Sequence, residues 1–290
     1  MPRPKRAATC SHEAAVKAPA EPRLAMMRVH TSTSTPGRSE EDDVSPARVT
    51  GGPAVIAVAL PWEAAPLARH LGLRRRGPQA GVTHYEDPGN RVLLVQAGMG
   101  PGGAARAVAC LERPALLLSA GFCGGVGRGL AVGDLVVAAQ VARHRALVSA
   151  DLVLLETATR AMAAVGLSFH VGTLRTVDEV VVSRDEGNGN ADGPILAVDM
   201  ESAHLAEAAQ QAGIPFLAIR VVSDTPAQPW AAHGARFLTP DGRLNRAALG
   251  AALLRHPSWL PRLLTLAVTL RRATRRLARA IDALLAELEA

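Results

Sequence analysis

The sequence predicts an α/β domain in which a sheet is buried between helices, and three stretches carry that reading. Ile195 to Val198 is a short apolar run suited to a buried strand, and Ser202 to Ala212 is an alanine-rich helix closed by Gly213, at the position where helices commonly stop. Pro215 then opens Phe216-Leu217-Ala218-Ile219, which continues through Val221-Val222 and is too apolar for a strand with one wet face. Val55 to Leu60 begins in the same way, and Pro61-Trp62-Glu63-Ala64-Ala65-Pro66-Leu67 leads from it into a helix ended by Gly72. In open α/β sheets ligands bind in the crevice outside the carboxyl ends of the strands. Asp199 and Glu201 fall at one such end, Ser223 and Asp224 at a second, and Glu63 just past a third.

The chain has 290 residues, 48% of them hydrophobic, enough for one large domain. Only 3% are aromatic, so the core has to be built from Ala, Val and Leu. Residues 1–50 differ. Pro, Ser, Thr and charge dominate, Ser39-Glu40-Glu41-Asp42-Asp43 is an acidic knot, and the stretch reads as a disordered extension, with Met26 or Met27 as alternative starts. No 18-residue apolar run and no signal-peptide pattern occurs, so neither a membrane span nor secretion is expected. Cys10, Cys110 and Cys123 are scattered without metal-ligand spacing, as in a reduced, cytoplasmic protein.

Val198-Asp199-Met200-Glu201, followed by Ile219-Arg220-Val221-Val222-Ser223-Asp224, resembles segments of the purine nucleoside phosphorylase and nucleosidase superfamily. The resemblance runs from about Ala54 to about Asp224. It implies a single-domain, three-layer α/β/α fold with a central twisted mixed sheet over residues 51–255, and a homodimer. In the nucleosidase branch, which hydrolyses adenine nucleosides such as methylthioadenosine and S-adenosylhomocysteine, an acidic residue after the first strand acts on the attacking water; Glu63 matches it. Taken alone, Glu63 is equally well a first-turn glutamate favoured by the helix dipole.

Two Gly-rich segments follow runs that read as buried strands, Val92 to Gln96 and Leu116 to Ala120. Ala97-Gly98-Met99-Gly100-Pro101-Gly102-Gly103 lacks the Lys-Ser/Thr of a P-loop and precedes a helix expected from Ala104 to Leu111. The resemblance places Gly98 beside the ribose. Gly121-Phe122-Cys123-Gly124-Gly125-Val126-Gly127 is similar to the family's segment beside base and ribose, although many relatives have Ser or Ala where Phe122 and Cys123 stand, so its backbone is expected to line the pocket. Cys123 reads as a small buried thiol rather than a nucleophile. Asp134 is expected to be structural, and Val180 and Val181 stand where relatives place apolar residues over the purine.

The chemistry implied is cleavage of an N-glycosidic bond. Asp224 is the candidate acid for the departing base, its pKa expected to be raised by burial and like charge. Glu201 is the candidate for holding the ribose hydroxyls, Met200 for packing on the sugar, Ser223 for substrate contact, and Glu63 for taking a proton from water. Arg220 is expected to pair with an acid. No cofactor or metal is expected. Water is preferred over phosphate because a carboxylate after the first strand repels a dianion. Phosphate, entering by Arg106 or the Gly-rich turns, remains the alternative co-substrate. A non-catalytic nucleoside-binding protein is the reading from another class.

From Arg255 to Arg279 there are seven arginines and no acid, which more than account for the formal net charge of +6. Leu263, Leu266, Leu270, Ala273, Leu277, Ala280 and Leu284 recur every three or four residues, so 256–290 reads as a basic amphipathic helix. Such a helix covers the core, pairs with a twin subunit, or lies on an anionic membrane. Nucleic acid is not expected, since aromatic residues are not interleaved with the charge. This tail, with Arg220 to Asp224 and the Leu118-to-Gly125 segment, is similar to the hopanoid-associated branch of the superfamily, whose named phosphorylases are thought to remove adenine from adenosylhopane. That likeness implies a lipid-linked adenine nucleoside as substrate and a place on the inner membrane face.

Overall fold

The apolar runs pair with one another in a mixed sheet. The computed structural model describes residues 51–79, 81–109, 114–178, 195–228, 237, 239 and 245–290. β1 (Ala54–Val58) lies parallel between β4 (Val92–Gln96) and β5 (Leu116–Gly125), and β10 (Phe216–Asp224) lies parallel to β5. Every residue of β1 is buried, as is β10 from Phe216 to Val222, which is why both lack polar alternation. Beyond β4 the sheet continues antiparallel through β3 (Val82–Glu86) to an edge strand β2 (Arg74–Gln79).

On the other side the sheet closes on itself. β10 pairs antiparallel with β6 (Leu135–Arg143), β6 parallel with β8 (Phe169–Thr176), β8 parallel with β9 (Ile195–Asp199), and β9 returns antiparallel to β5 at Gly124 and Gly125. A short β7 (Ala146–Ser149) pairs with β6. The ends of β5, β9 and β10 are thereby drawn to one place.

Helices cover both faces. α1 (Pro61–His70), α3 (Leu152–Ala164) and a long C-terminal helix share one apolar cluster with Ile56, Leu118 and Ile219. α2 (Gly100–Ala109) and α4 (Ser202–Ala212) share the other with Val55, Leu117 and Ala218. Successive strand residues thus feed opposite layers, giving the three-layer α/β/α arrangement. Local signals set the ends: Asp151 accepts from the Leu154 N–H at 2.9 Å, and Gly213 ends α4 with φ of +65°.

Two elements differ from expectation. β5 does not stop at Ala120 but runs through the glycines to Gly125, because Gly124 and Gly125 still pair with β9. α2 starts at Gly100, four residues before Ala104, so the Gly-rich turn supplies its first turn. A Cβ on Gly103 would lie 2.0 Å from the Gly98 carbonyl oxygen, an approach only glycine permits.

The C-terminal region comprises α5 (Arg246–Arg255), a 3₁₀ turn (Pro257–Trp259) and α6 (Leu260–Glu289). From Ala273 onward α6 is part of the core: Ala273, Leu277, Ala280, Ile281 and Leu284 are buried in the cluster with α1 and α3. Arg279 donates to the Val165 carbonyl at 3.2 Å, where the α3 dipole favours a cation, and Arg276 donates to the Ser168 carbonyl at 3.1 Å. Leu260 to Arg272 contributes no buried residue among those described, and neither does α5. Among the described residues no helix is long and apolar enough to cross a membrane.

Leu277→Ala is expected to lower unfolding free energy by about 2–5 kcal/mol through the cavity it leaves, whereas Leu264→Ala, at a position 59% exposed, changes it by about 0.5 kcal/mol or less. Chemical denaturation of the two variants checks this.

Candidate active site

A single buried cation organises the strand ends. Arg220 projects from β10, is 2% exposed, and places Nη2 2.7 Å from Asp199 Oδ2 and 3.9 Å from Glu201 Oε2. The same nitrogen donates to Ser119 Oγ at 2.7 Å and Ser202 Oγ at 2.9 Å, and Nη1 donates to the Ala120 carbonyl at 3.4 Å. Asp199 also accepts from Thr176 Oγ1 at 2.7 Å and from the Ser202 N–H at 3.2 Å. An unpaired guanidinium at this depth would be prohibitively unstable, so these partners are what let it be buried.

Glu63 sits in the first turn of α1, 3% exposed, and its two oxygens have different tasks. Oε2 accepts from the Leu60 N–H at 2.7 Å, closing the helix end, while Oε1 accepts from the Phe122 N–H on β5 at 2.7 Å. Helix capping and a place in the site are therefore the same conformation. Burial raises the Glu63 carboxyl above its usual range, against the lowering pull of the Phe122 N–H and Arg220. Glu201 follows β9 and accepts from the Gly100 N–H at 3.0 Å. It is pushed up to about 7, chiefly by burial, which Arg220 opposes and Asp199 reinforces.

Asp224 ends β10 opposite Gly124 and is 8% exposed. Ser223 Oγ lies 2.5 Å from Asp224 Oδ1 and 3.2 Å from the Cys123 carbonyl. Glu63 and Asp224 thus meet β5 at positions two residues apart, Phe122 and Gly124, roughly 7 Å along the strand. Gly121 makes the close packing possible: with φ of +149°, a Cβ there would meet Glu63 Oε1 at 2.6 Å and Arg220 Nη1 at 2.7 Å.

The other expected residues are distributed around this group. Gly98, with φ of +91°, lines a small pocket with Ser119, Glu201, Leu205 and Arg220. Glu63 and Asp224 are not part of that pocket and stand along β5 instead. Phe122 brings its N–H to Glu63 while its ring packs against the apolar cluster of α1 and α3. Met200 is half-buried between Asp199 and Glu201. Val180 and Val181 lie outside the described residues. Cys123 is buried, and burial pushes its thiol far above its ordinary range, so it is not a nucleophile at neutral pH. Asp134 accepts from the Ala131 N–H at 2.9 Å in a turn.

The sequence sets Arg220 beside an acid without saying which one. Ser119, Ser202 and Thr176 are functional residues that it does not single out, although Ser202 stands directly after Glu201 at a helix start. Gly121 falls in the segment expected to line the pocket, but its contact with Glu63 and Arg220 is not legible there.

A mixed α/β sheet with buried carboxylates gathered at neighbouring strand ends around one arginine defines an enzyme-like ligand site. The chain belongs to the Phosphorylase superfamily, whose family model matches residues 53–255. Within it the chain is similar to a 5'-methylthioadenosine/S-adenosylhomocysteine nucleosidase of Listeria innocua, 32% identical over 165 residues that cover 48% of this chain and 71% of that protein. Among solved structures, the corresponding nucleosidase of S. pneumoniae with a transition-state inhibitor is 25% identical, with a TM-score of 0.60 over 83% of this chain and 99% of that one. The fold is also that of futalosine hydrolase from Helicobacter pylori, at 16% identity and a TM-score of 0.64, covering 81% of this chain and 98% of the other.

Arg220→Met, which leaves Asp199 buried without its cation, is expected to cost about 3–5 kcal/mol in denaturant unfolding. Glu201 tests the electrostatics differently. Its folded pKa is raised, so its favourable contribution is complete below the ordinary glutamate range and is lost as pH rises to about 7. Glu201→Gln keeps an acceptor for Gly100 and removes this cost, so its melting temperature relative to the unmodified protein rises between pH 5 and pH 8. A pH-independent difference contradicts the assignment.

Proposed function

We propose that this protein hydrolyses the N-glycosidic bond of a 5′-modified adenine nucleoside and releases adenine. The observation that carries the reading is the row of buried carboxylates at the strand ends: Glu63 on the Phe122 N–H, Asp224 beside Gly124, and Glu201 tied to Gly100 and Arg220. Each acid suits a different part of a nucleoside.

Adenine leaves poorly as an anion. Asp224 in its protonated form, oriented by Ser223, donates to a ring nitrogen as the C1′–N bond breaks and its electron pair departs with the base. The sugar acquires oxocarbenium character. Glu201 accepts hydrogen bonds from the ribose hydroxyls and stabilises the cation, while Met200 packs on the ring and the backbone at Gly98 and Phe122 lines the cavity. Water then bonds to C1′ and gives its proton to Glu63, whose raised pKa brings a carboxylate closer to the neutral range in which a base works best.

Two features favour water over phosphate. A phosphate at the end of β1 would meet the Glu63 carboxylate, and the nearby cation, Arg220, is already committed to Asp199. Arg106, which donates to the Ala97 carbonyl at 2.6 Å beside Gly98, supports the phosphorolytic alternative, since turning it inward would supply a cation. For the substituent at the 5′ carbon, the likeness of the tail and of the β5 and β10 segments to the hopanoid-associated branch supports adenosylhopane and a role in hopanoid biosynthesis. The similarity to the Listeria innocua protein supports a methylthio or homocysteinyl group instead. A homodimer in the cytoplasm, in peripheral contact with the inner membrane face, belongs to the first of these readings.

Free adenine is followed after incubation with methylthioadenosine, S-adenosylhomocysteine and adenosylhopane, with and without phosphate. Release without phosphate is expected, and a strict phosphate requirement overturns hydrolysis. Asp224→Asn and Glu63→Gln are each expected to lower kcat by about 10²–10⁴-fold with the fold intact by circular dichroism. Full turnover by either variant rejects its assigned role.

A further inference from the structure

α6 changes character along its length. Its 30 residues span about 45 Å, of which the first thirteen, about 20 Å, precede the part buried in the core. On that leading half Leu260, Leu264 and Val268 are 49%, 59% and 47% exposed, and Leu254 at the end of α5 is 88% exposed. These are four of the eight large apolar side chains strongly exposed among the described residues, concentrated on one short stretch of chain. A patch of this kind on an otherwise ordinary surface marks something that covers it.

The charge pattern selects the occupant. At 100° per residue Leu260, Leu264, Val268, Arg271 and Arg275 lie on one side of the helix, opposite Ala273, Leu277 and Leu284, which face the core. The exposed side is apolar toward the start of α6 and basic toward the body of the protein. Residues 242–281 contain nine arginines and no aspartate or glutamate. A second copy of this chain would bring like charges together, and no acid within the segment offsets them. An anionic lipid surface presents the matching sequence of environments, hydrocarbon for the leucines and phosphate for the arginines. Trp259, half-buried and stacked on His256 at 4.7 Å between ring centroids, lies at the junction of the two helices, a residue type suited to the lipid interface.

We infer that α5, the Pro257–Trp259 turn and residues 260–275 of α6 form a docking surface for an anionic bilayer, with Leu254, Leu260, Leu264 and Val268 entering the lipid and Arg271, Arg272 and Arg275 on its phosphates. The inference deepens the peripheral membrane contact of the proposed function and rests on that reading. It moves the contact from the whole of 256–290 to α5, the turn and the leading face of α6 that the core leaves uncovered, and it gives a lipid-linked nucleoside a route to the enzyme without leaving the membrane.

The full-length protein is sedimented with vesicles of phosphatidylcholine containing about one quarter phosphatidylglycerol, and with pure phosphatidylcholine vesicles. Binding to the anionic vesicles is expected, falling at least about tenfold for Leu254→Ser/Leu264→Ser/Val268→Ser and for Arg271→Glu/Arg272→Glu/Arg275→Glu. Both variants should keep the unmodified protein's melting temperature and its rate on a water-soluble adenine nucleoside. Absence of binding by the unmodified protein, or binding by both variants as strong as that of the unmodified protein, overturns the inference. So does analytical ultracentrifugation in which the serine variant converts a dimer to a monomer, because the patch is then a subunit interface. Failure of adenine release by every form rejects the proposed chemistry and leaves the vesicle result to decide the docking surface separately.

Discussion

The ion pair between Arg220 and Asp199 is the constraint from which the rest of the site follows. It joins the middle of β10 to the end of β9, and through Ser119 and the Ala120 carbonyl it reaches β5 as well. One guanidinium thus ties the consecutive strands β9 and β10 to β5, which precedes them in the chain by some seventy residues. Its burial is tolerable only because Asp199, Ser119, Ser202 and Ala120 all present oxygen to it. The closed ring of β5, β9, β8, β6 and β10 supplies the geometry, and the arginine makes that geometry unique.

Around this cation the carboxylates are differentiated by their surroundings. Asp199 takes the direct ion pair. Glu201 stands farther from Nη2 and is pushed up to about 7 by burial, so it can change charge in the neutral range. Glu63 is raised in the same direction but bound to two backbone N–H groups that favour its ionised form. Similar residues thus acquire separate properties from depth, distance to Arg220 and backbone donors. Gly121 is the small residue that allows the arrangement, since any side chain there would separate Glu63 from Arg220.

The C-terminal helix joins two kinds of surface in one element. Its second half completes the layer formed by α1 and α3 and is held by Arg276 and Arg279 on carbonyls around the end of α3. Its first half keeps the same period of leucines but has little to pack against. An arginine-rich helix can therefore belong to the core and still present a free face, and the sequence stripe alone did not distinguish the two halves.

What the sequence by itself determined is the local part: strands at β1, β5 and β10 from their unbroken apolar runs, α4 from Ser202 to its Gly213 stop, and Glu63, Glu201 and Asp224 at strand ends. These follow from propensity, period and end signals that act within a few residues. Only the tertiary structure decided that Asp199 is the partner of Arg220, that Ser119 and Ser202 meet 3.0 Å apart, that Gly121 lies against Glu63 and Arg220, and that β5 extends through its glycines to pair with β9. The physical reason is sequence separation. Ser119 and Ser202 are 83 positions apart and Phe122 is 59 from Glu63, so their contact depends on strand order and ring closure, which no periodicity encodes.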